Sequence, residues 1–298
     1  MEIKVTRCII CDSDRLLIWL RLGEQKVLRC RDCDYAFRYP IPSQEELDSY
    51  MLASYKGEGL EETKDIFAHC GKGYGDDPII KEYQEALTRL GYYTDGRHLL
   101  DVGCGPGTFL DLARHSGWSV LGIDSCPSAC AFAEKEFGLQ VLNIQFEEAA
   151  PWPTPFDVIT MWDFLEHVLN PAVVLTKAND KLKNQGLLFL ALPNRRSLIY
   201  DLAEVLIKAR LPLLRDQAQK LFHFSHISYF SMVSLQNLLQ RTGFEIIEEH
   251  SMNPYLGRYQ IPWYSKGFLQ LVFNLAKLLK AQSRLWVIAR KDKGLLNV

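Results

Sequence analysis

No apolar run in the 298 residues reaches the ~18–20 that a membrane-spanning helix needs. The N-terminus, MEIKVTRCIICDSD, carries acidic residues and two cysteines where a secretory signal would carry an apolar stretch. There is no excess of basic charge either. The 34 Lys and Arg stand against 36 Asp and Glu, so the chain is not built to coat nucleic acid by charge alone. Internal repeats and low-complexity tracts are absent. With 48% hydrophobic and 23% charged residues, wholesale disorder is excluded. The expectation is a cytosolic protein in a reducing compartment, where eight cysteines signify metal rather than disulfides.

Four of those cysteines are clustered. Cys8-x2-Cys11 and Cys30-x2-Cys33, with eighteen residues between the pairs, have the spacing of a zinc ribbon. Four thiolates would close a tetrahedral structural shell around Zn2+, leaving no open position for catalysis. So short a segment has little core without metal. Nine Lys/Arg and ten Asp/Glu over residues 1–58 leave the ribbon without a basic face. The ribbon is assigned to 1–40, and a linker with a short helix to 41–77. Residues 54–77, rich in Gly and charge, read as a linker or mobile loop.

From Pro78 onward the pattern becomes helical, with Ile79, Tyr83, Leu87 and Leu90 at helical spacing. Strand and helix signals then alternate: HLLDVG, PGTFLDLARHSG, WSVLGID, CPSACAFAEKEFG, LQVLN, FDVITM, a helix over 171–183, and GLLFLALP. Such alternation predicts a Rossmann-like, doubly wound, mostly parallel sheet over 78–298. The tail breaks the rhythm. FEIIEEH and RLWVIAR, separated by a long amphipathic stretch, suit an antiparallel edge.

DVGCGPGTF (101–109) stands between a strand and a helix. Gly103 and Gly105 allow a tight turn, Gly107 allows close approach of a ligand, and the helix behind offers free N–H groups. Asp124 ends the next strand, where its carboxylate can accept both hydroxyls of a ribose. A dinucleotide fingerprint would need Gly at 108, which is Thr, and the Lys-Ser/Thr of a phosphate-binding Walker loop is absent. Asp101 suits the ammonium of an amino acid better than a pyrophosphate, which it would repel.

These segments, with GIDSCP, FDVITMWDFLEHVLNP and GLLFLALPN, resemble the successive motifs of class I S-adenosylmethionine-dependent methyltransferases over residues 78–291. The resemblance implies a seven-stranded sheet with an antiparallel last strand. It also implies that Asp101 and the Gly103–Gly107 backbone hold the methionine part and that Asp124 binds the ribose. Phe146 and Glu147 would lie near the adenine, and Trp162 and Asp163 would wall the cofactor on the substrate side. Cys104, inside the loop, reads as a small buried filler rather than a nucleophile.

A hydroxyl acceptor would need a base. His167 follows the fourth strand, beside the cofactor. His226, with His223 nearby, opens a segment that in relatives borders the acceptor. Asp163, Glu166 and His167 resemble the acidic-x-x-Glu-His segment of ubiquinone-biosynthesis O-methyltransferases, which bind a divalent metal there. The Glu-His pair is also widespread in relatives without metal, and packing beside the cofactor is the expected role here. The fourth strand is not followed by Asn/Asp-Pro-Pro-Tyr/Phe, and Cys126-Pro127 is reversed and misplaced for a cytosine C5 enzyme, so base methylation is disfavoured. The ribbon with FRYPIPSQEELDSYMLASY resembles the N-terminal module of bacterial sugar and polysaccharide-cluster methyltransferases. The expected acceptor is a small molecule, lipid-linked in one form: a hydroxyl of a sugar, a glycolipid precursor or a quinone-like compound. A non-catalytic scaffold, or an RNA or protein methyltransferase, is the alternative.

Two apolar insertions fall at 197–228 and 254–282. The second places Phe268, Leu271, Val272, Leu275, Leu278 and Leu279 on one helical face, after Trp263 and Tyr264. Residues 257–298 carry eight Lys/Arg and one acid, Asp292. A helix packed over the sheet and acceptor pocket is the expectation. A helix over 264–280 lying on anionic lipid, at the inner membrane surface, is the alternative.

Overall fold

A computed structural model describes residues 5–55, 78–150, 154–209, 212–254, 256 and 263–292. The linker expected over 54–77 therefore falls almost wholly outside the described residues, as do the side chains of Trp263 and Tyr264. The chain opens with strands β1 (Leu16–Leu22), β2 (Gln25–Cys30) and β3 (Ala36–Tyr39), then helices α1 (Gln44–Tyr55) and α2 (Pro78–Tyr93). The alternating part runs β4 (His98–Val102), α3 (Thr108–His115), β5 (Ser119–Asp124), α4 (Pro127–Phe137), β6 (Val141–Asn143), β7 (Phe156–Trp162), α5 (Pro171–Lys181) and β8 (Leu182–Pro193). The first insertion forms α6 (Leu198–Lys208), α7 (Pro212–Gln219) and the short β9 (Ser228–Tyr229). The chain then forms α8 (Met232–Arg241), β10 (Phe244–Met252), α9 (Trp263–Leu278) and β11 (Arg284–Lys291).

Seven strands make one sheet in the order β10-β11-β8-β7-β4-β5-β6. β6, β5, β4, β7 and β8 pair in parallel, and β11 runs antiparallel to both its neighbours, as the tail pattern suggested. Alternate residues of each strand point to opposite faces. Leu188, Leu190 and Leu192 of β8 thus join Leu285, Val287 and Ala289 of β11 in one core. Leu187, Phe189 and Ala191 join Trp286 and Ile288 in the other. Short local signals set the helix ends. Pro127 and Pro171 start α4 and α5, and Gly138 closes α4 at φ 63°, a left-handed conformation that glycine adopts freely.

The four-cysteine segment is not a separate module. β1, β2 and β3 continue into β9 to make a second, antiparallel sheet, with Ala36 opposite Tyr229 and Phe37 opposite Ser228. Cys8, Cys30, Cys33, Tyr35 and Phe37 share the core that holds Leu100, Ile159 and Leu188 of the main sheet. On its other face, Trp19, Leu20 and Val27 bury Tyr200, Ala203, Ile207 and Phe222 of the first insertion.

A buried ion cluster ties these parts together. Asp34 binds Arg29 of its own hairpin at 2.7 Å, Arg196 at 2.7 Å, and Arg195, which is 2% exposed. Burial alone would raise the Asp34 carboxyl. The hydrogen bonds and charges of Arg196 and Arg195 outweigh that effect and hold it at about 2.

The second insertion departs from expectation. On α9 the buried residues are Val272, Phe273 and Ala276, whereas Phe268, Leu271, Leu275, Leu278 and the following Leu279 face outward. Val272 does not belong to their face, and the apolar row is not packed over the sheet.

The cluster yields a stability prediction. Asp34 has φ 64°, which Asn tolerates, so Asp34→Asn leaves the turn unstrained while removing the charge and turning one acceptor oxygen into a donor that faces the guanidiniums. Leaving Arg195 buried without its partner should cost about 3–5 kcal/mol in urea unfolding at neutral pH. Because the folded pKa is depressed, the contribution of Asp34 is present above pH ~4 and is lost as pH falls toward 2. The stability gap between wild type and variant should narrow over that window.

Candidate functional site

The turn after β4 is built for close approach. Gly103, Gly105 and Gly107 have φ of 70°, 53° and 85°. A Cβ on Gly103 would lie 2.4 Å from the Phe164 ring, and one on Gly107 would lie 2.7 Å from Leu139. The Gly103 and Cys104 N–H groups donate to the Ile123 carbonyl at 2.8 and 3.1 Å, locking the turn against β5. Cys104 is buried, and its sulfur fills the space beneath Gly122. Burial, then the charges of Asp101 and Asp124, push its thiol well up, which suits a filler and not a nucleophile.

Two buried carboxyls flank the turn. The Gly105 and Cys126 N–H groups donate to the two oxygens of Asp124, each at 2.8 Å, which fixes the carboxylate plane at the end of β5. Asp101 is 2% exposed and takes one hydrogen bond, from the Thr160 hydroxyl at 2.7 Å. Burial, with the charge of Asp124 nearby, pushes Asp101 up to about 8. Such a carboxyl is short of a cation.

Other residues expected at the site are placed differently. Phe146 is 2% exposed, inside the core below its turn, whereas Glu147 is half-buried and Glu148 is the exposed residue of that turn. Trp162 is a core residue. Its ring lies 4.7 Å from Tyr83, 5.2 Å from Phe109, 4.6 Å from Phe189 and 5.7 Å from Trp286. It is not an open wall. Asp163, at φ 45°, turns to Arg284 at 2.7 Å. Arg284 also contacts Glu82 at 3.2 Å, and Glu82 accepts the Trp286 indole N–H at 3.0 Å. Glu82, Arg284 and Trp286 carry no motif signal and go unseen in the sequence.

The two histidines form one cluster. Sequence order puts His167 beside the cofactor and His226 across from it, yet their ring centroids are 4.9 Å apart, with His223 5.2 Å from His226. His167 Nδ1 donates to the Ser225 carbonyl at 2.9 Å, which leaves Nε2 as the acceptor. Glu166 is 1% exposed, and neither carboxyl oxygen has a hydrogen-bond partner on another described residue, nor has His226 Nδ1. Burial, then the charge of Asp163, drives Glu166 well up. Burial lowers His167, and burial with the neighbouring His167, His223 and Arg38 lowers His226 well below the usual imidazole range. The ligand atoms of Glu166, His167 and His226 lie within 4.8 Å of one another, so the cluster can move a proton or hold a cation. Asp163 is not part of it, which corrects the Asp163–Glu166–His167 grouping.

An open cavity of about 480 Å³ adjoins the His226 loop. It is lined by Glu45, Glu46, Ser49 and Tyr50 of α1 and by Phe224, whose ring lies 5.2 Å from Tyr50. The Gln145 amide donates to Asp48 at 3.1 Å, so α1 bridges the cavity to the turn after β6.

The cysteines converge as their spacing implies. Their four sulfurs lie within 4.8 Å of one another, with Cys8–Cys33 and Cys11–Cys30 each at 3.5 Å. Thiolates ~2.3 Å from a tetrahedral zinc stand about 3.8 Å apart, so the donor set fits that ion. The two knuckles mirror each other. Each ends in an aspartate of positive φ, Asp12 at 61° and Asp34 at 64°. In each, the first cysteine N–H donates to a carbonyl five residues on, Cys8 to Ser13 and Cys30 to Tyr35, both at 2.8 Å.

Comparison with known proteins agrees with this geometry. A family model described as a methyltransferase domain matches residues 77–249. A ubiquinone biosynthesis O-methyltransferase of Methylococcus capsulatus is 30% identical over 191 residues, covering 62% of this chain and 78% of that protein. The mitochondrial ubiquinone biosynthesis O-methyltransferase of Schizosaccharomyces pombe is 32% identical over 163 residues, covering 48% of this chain and 59% of that protein. The chain thus spans between about half and three quarters of the length of the curated relatives it matches, from 46% to 78%. The solved structure of a SAM dependent methyltransferase from Archaeoglobus fulgidus has the same fold, with a TM-score of 0.52 and 19% identity over 81% of this chain and 99% of that one.

The cysteine geometry makes a direct prediction. Protein purified without chelators should contain about one zinc per chain by elemental analysis, and Cys30→Ser should lose it. Because β3 carries β9, the variant should also lose protection of the β9 amides in hydrogen exchange while those of β4 and β5 stay protected. Metal-free wild type would refute the assignment.

Proposed function

The chain belongs to the class I S-adenosylmethionine-dependent methyltransferases, and from that membership we propose that it methylates a hydroxyl of a small, partly apolar molecule. S-adenosylmethionine supplies, when bound, an electrophilic methyl group on a sulfonium. The observation that carries the reading is the pairing of a buried, cation-seeking Asp101 beside the glycine turn with the Glu166–His167–His226 cluster, in which the Glu166 carboxyl and His226 Nδ1 have no hydrogen-bond partner among the described residues.

Each part has a role that its surroundings support. Asp101 would hold the ammonium of the methionine moiety, and Asp124 the ribose hydroxyls. The residues fit this ligand, since Asp101 is a buried carboxyl held by a single hydrogen bond among the described residues, from Thr160, and is driven up by burial. His226 remains neutral well below neutral pH, so it is ready to accept the proton of an acceptor hydroxyl. Glu166, driven toward its uncharged form by burial, would orient the imidazole by hydrogen bonding within the cluster. Tyr50 and Phe224 offer an aromatic flank for the acceptor at the cavity mouth. The names of the curated relatives favour a phenolic hydroxyl, and a phenol needs only a weak base. The proposal would fail if purified protein with S-adenosylmethionine methylated no member of a panel of catechols and other phenols.

A second reading rests on the Glu166–His167–His226 geometry, which offers one carboxyl and two imidazoles to a divalent cation. Restoration of turnover by Mg2+, Mn2+ or Zn2+ after chelation, lost in Glu166→Gln, would favour it.

Two predictions follow from the charges. Asp101 is largely protonated below pH 8 and must ionise to hold an ammonium. Cofactor affinity should therefore rise by up to about tenfold per unit from pH 6 to 8, and then fall as the ligand's own amine deprotonates. Calorimetry in buffers of different ionisation heat should show proton release, absent in Asp101→Asn. On the acceptor side, His226→Ala should lower kcat by ~10²–10⁴ with little change in cofactor Kd. His167→Ala should follow it, because the rings share one cluster. The acid limb of the kcat/KM profile should lie below the ordinary imidazole range, in keeping with the lowered His226.

A further inference from the structure

Helix α9 is anchored along one side and bare along another. Val272, Phe273 and Ala276 are buried, the helix packs on α6, and the Asn253 side chain donates to the Phe273 carbonyl at 3.0 Å. The outward row is nevertheless wholly apolar: Phe268 is 55% exposed, Leu271 67%, Leu275 46%, Leu278 80% and Leu279 57%, and α6 adds Val205 at 61%. A docked helix that turns five large apolar side chains to water is a surface awaiting a partner, since singly scattered exposed residues would not line up at helical spacing.

Charge identifies the partner. Residues 263–280 contain no acid. Lys266, Lys277 and Lys280 have no ion pair among the described residues, and Gln270 and Asn274 complete the polar stripe. Of the acids of α6, Glu204 is paired with Lys208, and the Asp201 carboxyl is pushed up by burial and by the charge of Glu204. Lys266 and Lys277 lie on the opposite side of the helix from the leucine row, so a second copy on that row would leave them unused, whereas an anionic lipid surface takes up the apolar row and attracts the basic face at once. Among the described residues no helix is long and apolar enough to cross a membrane.

We propose that α9, with the adjoining part of α6, seats the protein on the surface of an anionic lipid bilayer. The leucine row enters the headgroup–acyl boundary and the lysines remain among the phosphates. The seat is joined to the candidate site. The Leu198 N–H donates to the Ala281 carbonyl at 2.9 Å and the Asn194 N–H to that of Ser283 at 2.8 Å, tying the end of α9 to the end of β8, the sheet edge at which the site residues stand. An acceptor dissolved in the bilayer would meet the enzyme on that side. The seat itself depends on nothing in the methyl-transfer reading.

Flotation of the full chain with vesicles of phosphatidylcholine, alone or with added phosphatidylglycerol, tests the proposal. Wild type should float with the anionic vesicles and bind neutral ones at least tenfold more weakly, with salt reducing the difference. Leu271→Glu/Leu278→Glu changes only exposed positions. It should lose binding at least tenfold while its thermal midpoint and its S-adenosylmethionine affinity stay as in wild type. Lys266→Glu/Lys277→Glu should remove the anionic preference. Failure of wild type to float, or equal flotation of the leucine variant, would overturn the proposal. So would light scattering that shows a dimer dissolved by the leucine changes. Loss of cofactor binding with flotation intact would count against methyl transfer and leave the lipid seat standing.

Discussion

The carboxylate of Asp34 is shared by arginines from two distant parts of the chain, and the position of the site follows from that sharing. Arg29 belongs to the same hairpin, whereas Arg195 and Arg196 lie just beyond β8, where the chain leaves the main sheet. Pinning these segments together aligns β3 with β9. The Arg38 N–H then donates to the Ile227 carbonyl at 2.9 Å, its guanidinium to the carbonyls of Phe222 and His223, and the Tyr35 hydroxyl meets Ser228 at 2.5 Å. His226 sits inside this bracket, one residue before Ile227. The cysteine knuckle that ends in Asp34 therefore shapes the acceptor side of the site while standing apart from the glycine turn. Desolvation makes the arrangement sensitive. A buried ion cluster is costly to form and costlier to break, so its value lies in specifying one alignment.

The site uses charge sparingly. Asp101 and Glu166 are both driven toward their neutral forms, and His167 and His226 away from their cationic ones. The ionised groups stand at the margin, in the Asp163–Arg284–Glu82 chain. A buried carboxyl held neutral without ligand is recharged only when a cation arrives to share the low dielectric. On the proposed reading, occupancy of the glycine turn and ionisation of Asp101 would be one event. The same economy on the acceptor side leaves an imidazole that is a weak but permanently available proton acceptor, which suits an acidic hydroxyl better than an alkyl alcohol.

Much of this was legible from the chain because it is local. The glycine turn, the acid closing β5, the alternation of strands and helices and the paired cysteines are each contained within a few residues. They depend on backbone conformation, period and spacing. What escaped is non-local. Ala36–Tyr229 pairing joins positions some two hundred residues apart, and nothing in the short, polar HISYFS segment marks it as an edge for the ribbon. Trp162 looks like a ligand wall because it follows a strand where relatives bind cofactor. Its side of the strand, with Val158, faces α2 and α3, and the aromatic ring there is filled by Tyr83, Phe109, Phe189 and Trp286. Asp163 and Glu166 are neighbours in sequence, but the left-handed turn at Asp163 sends one to Arg284 and leaves the other buried.

Helix α9 shows the limit of periodicity most plainly. An apolar stripe at helical spacing announces that a face avoids water, without saying what covers it. Along α9 two adjacent stripes are apolar. The one containing Val272, Phe273 and Ala276 is buried and includes the small Ala276, on the side where the helix packs against α6. The one containing Leu271, Leu275 and Leu278 is long-chained, with Gln270 and Asn274 along its polar side and the lysines opposite it. A reading that merges the stripes assigns Val272 to the wrong side and packs the whole helix inward. Two stripes require two partners, and the protein supplies only one of them.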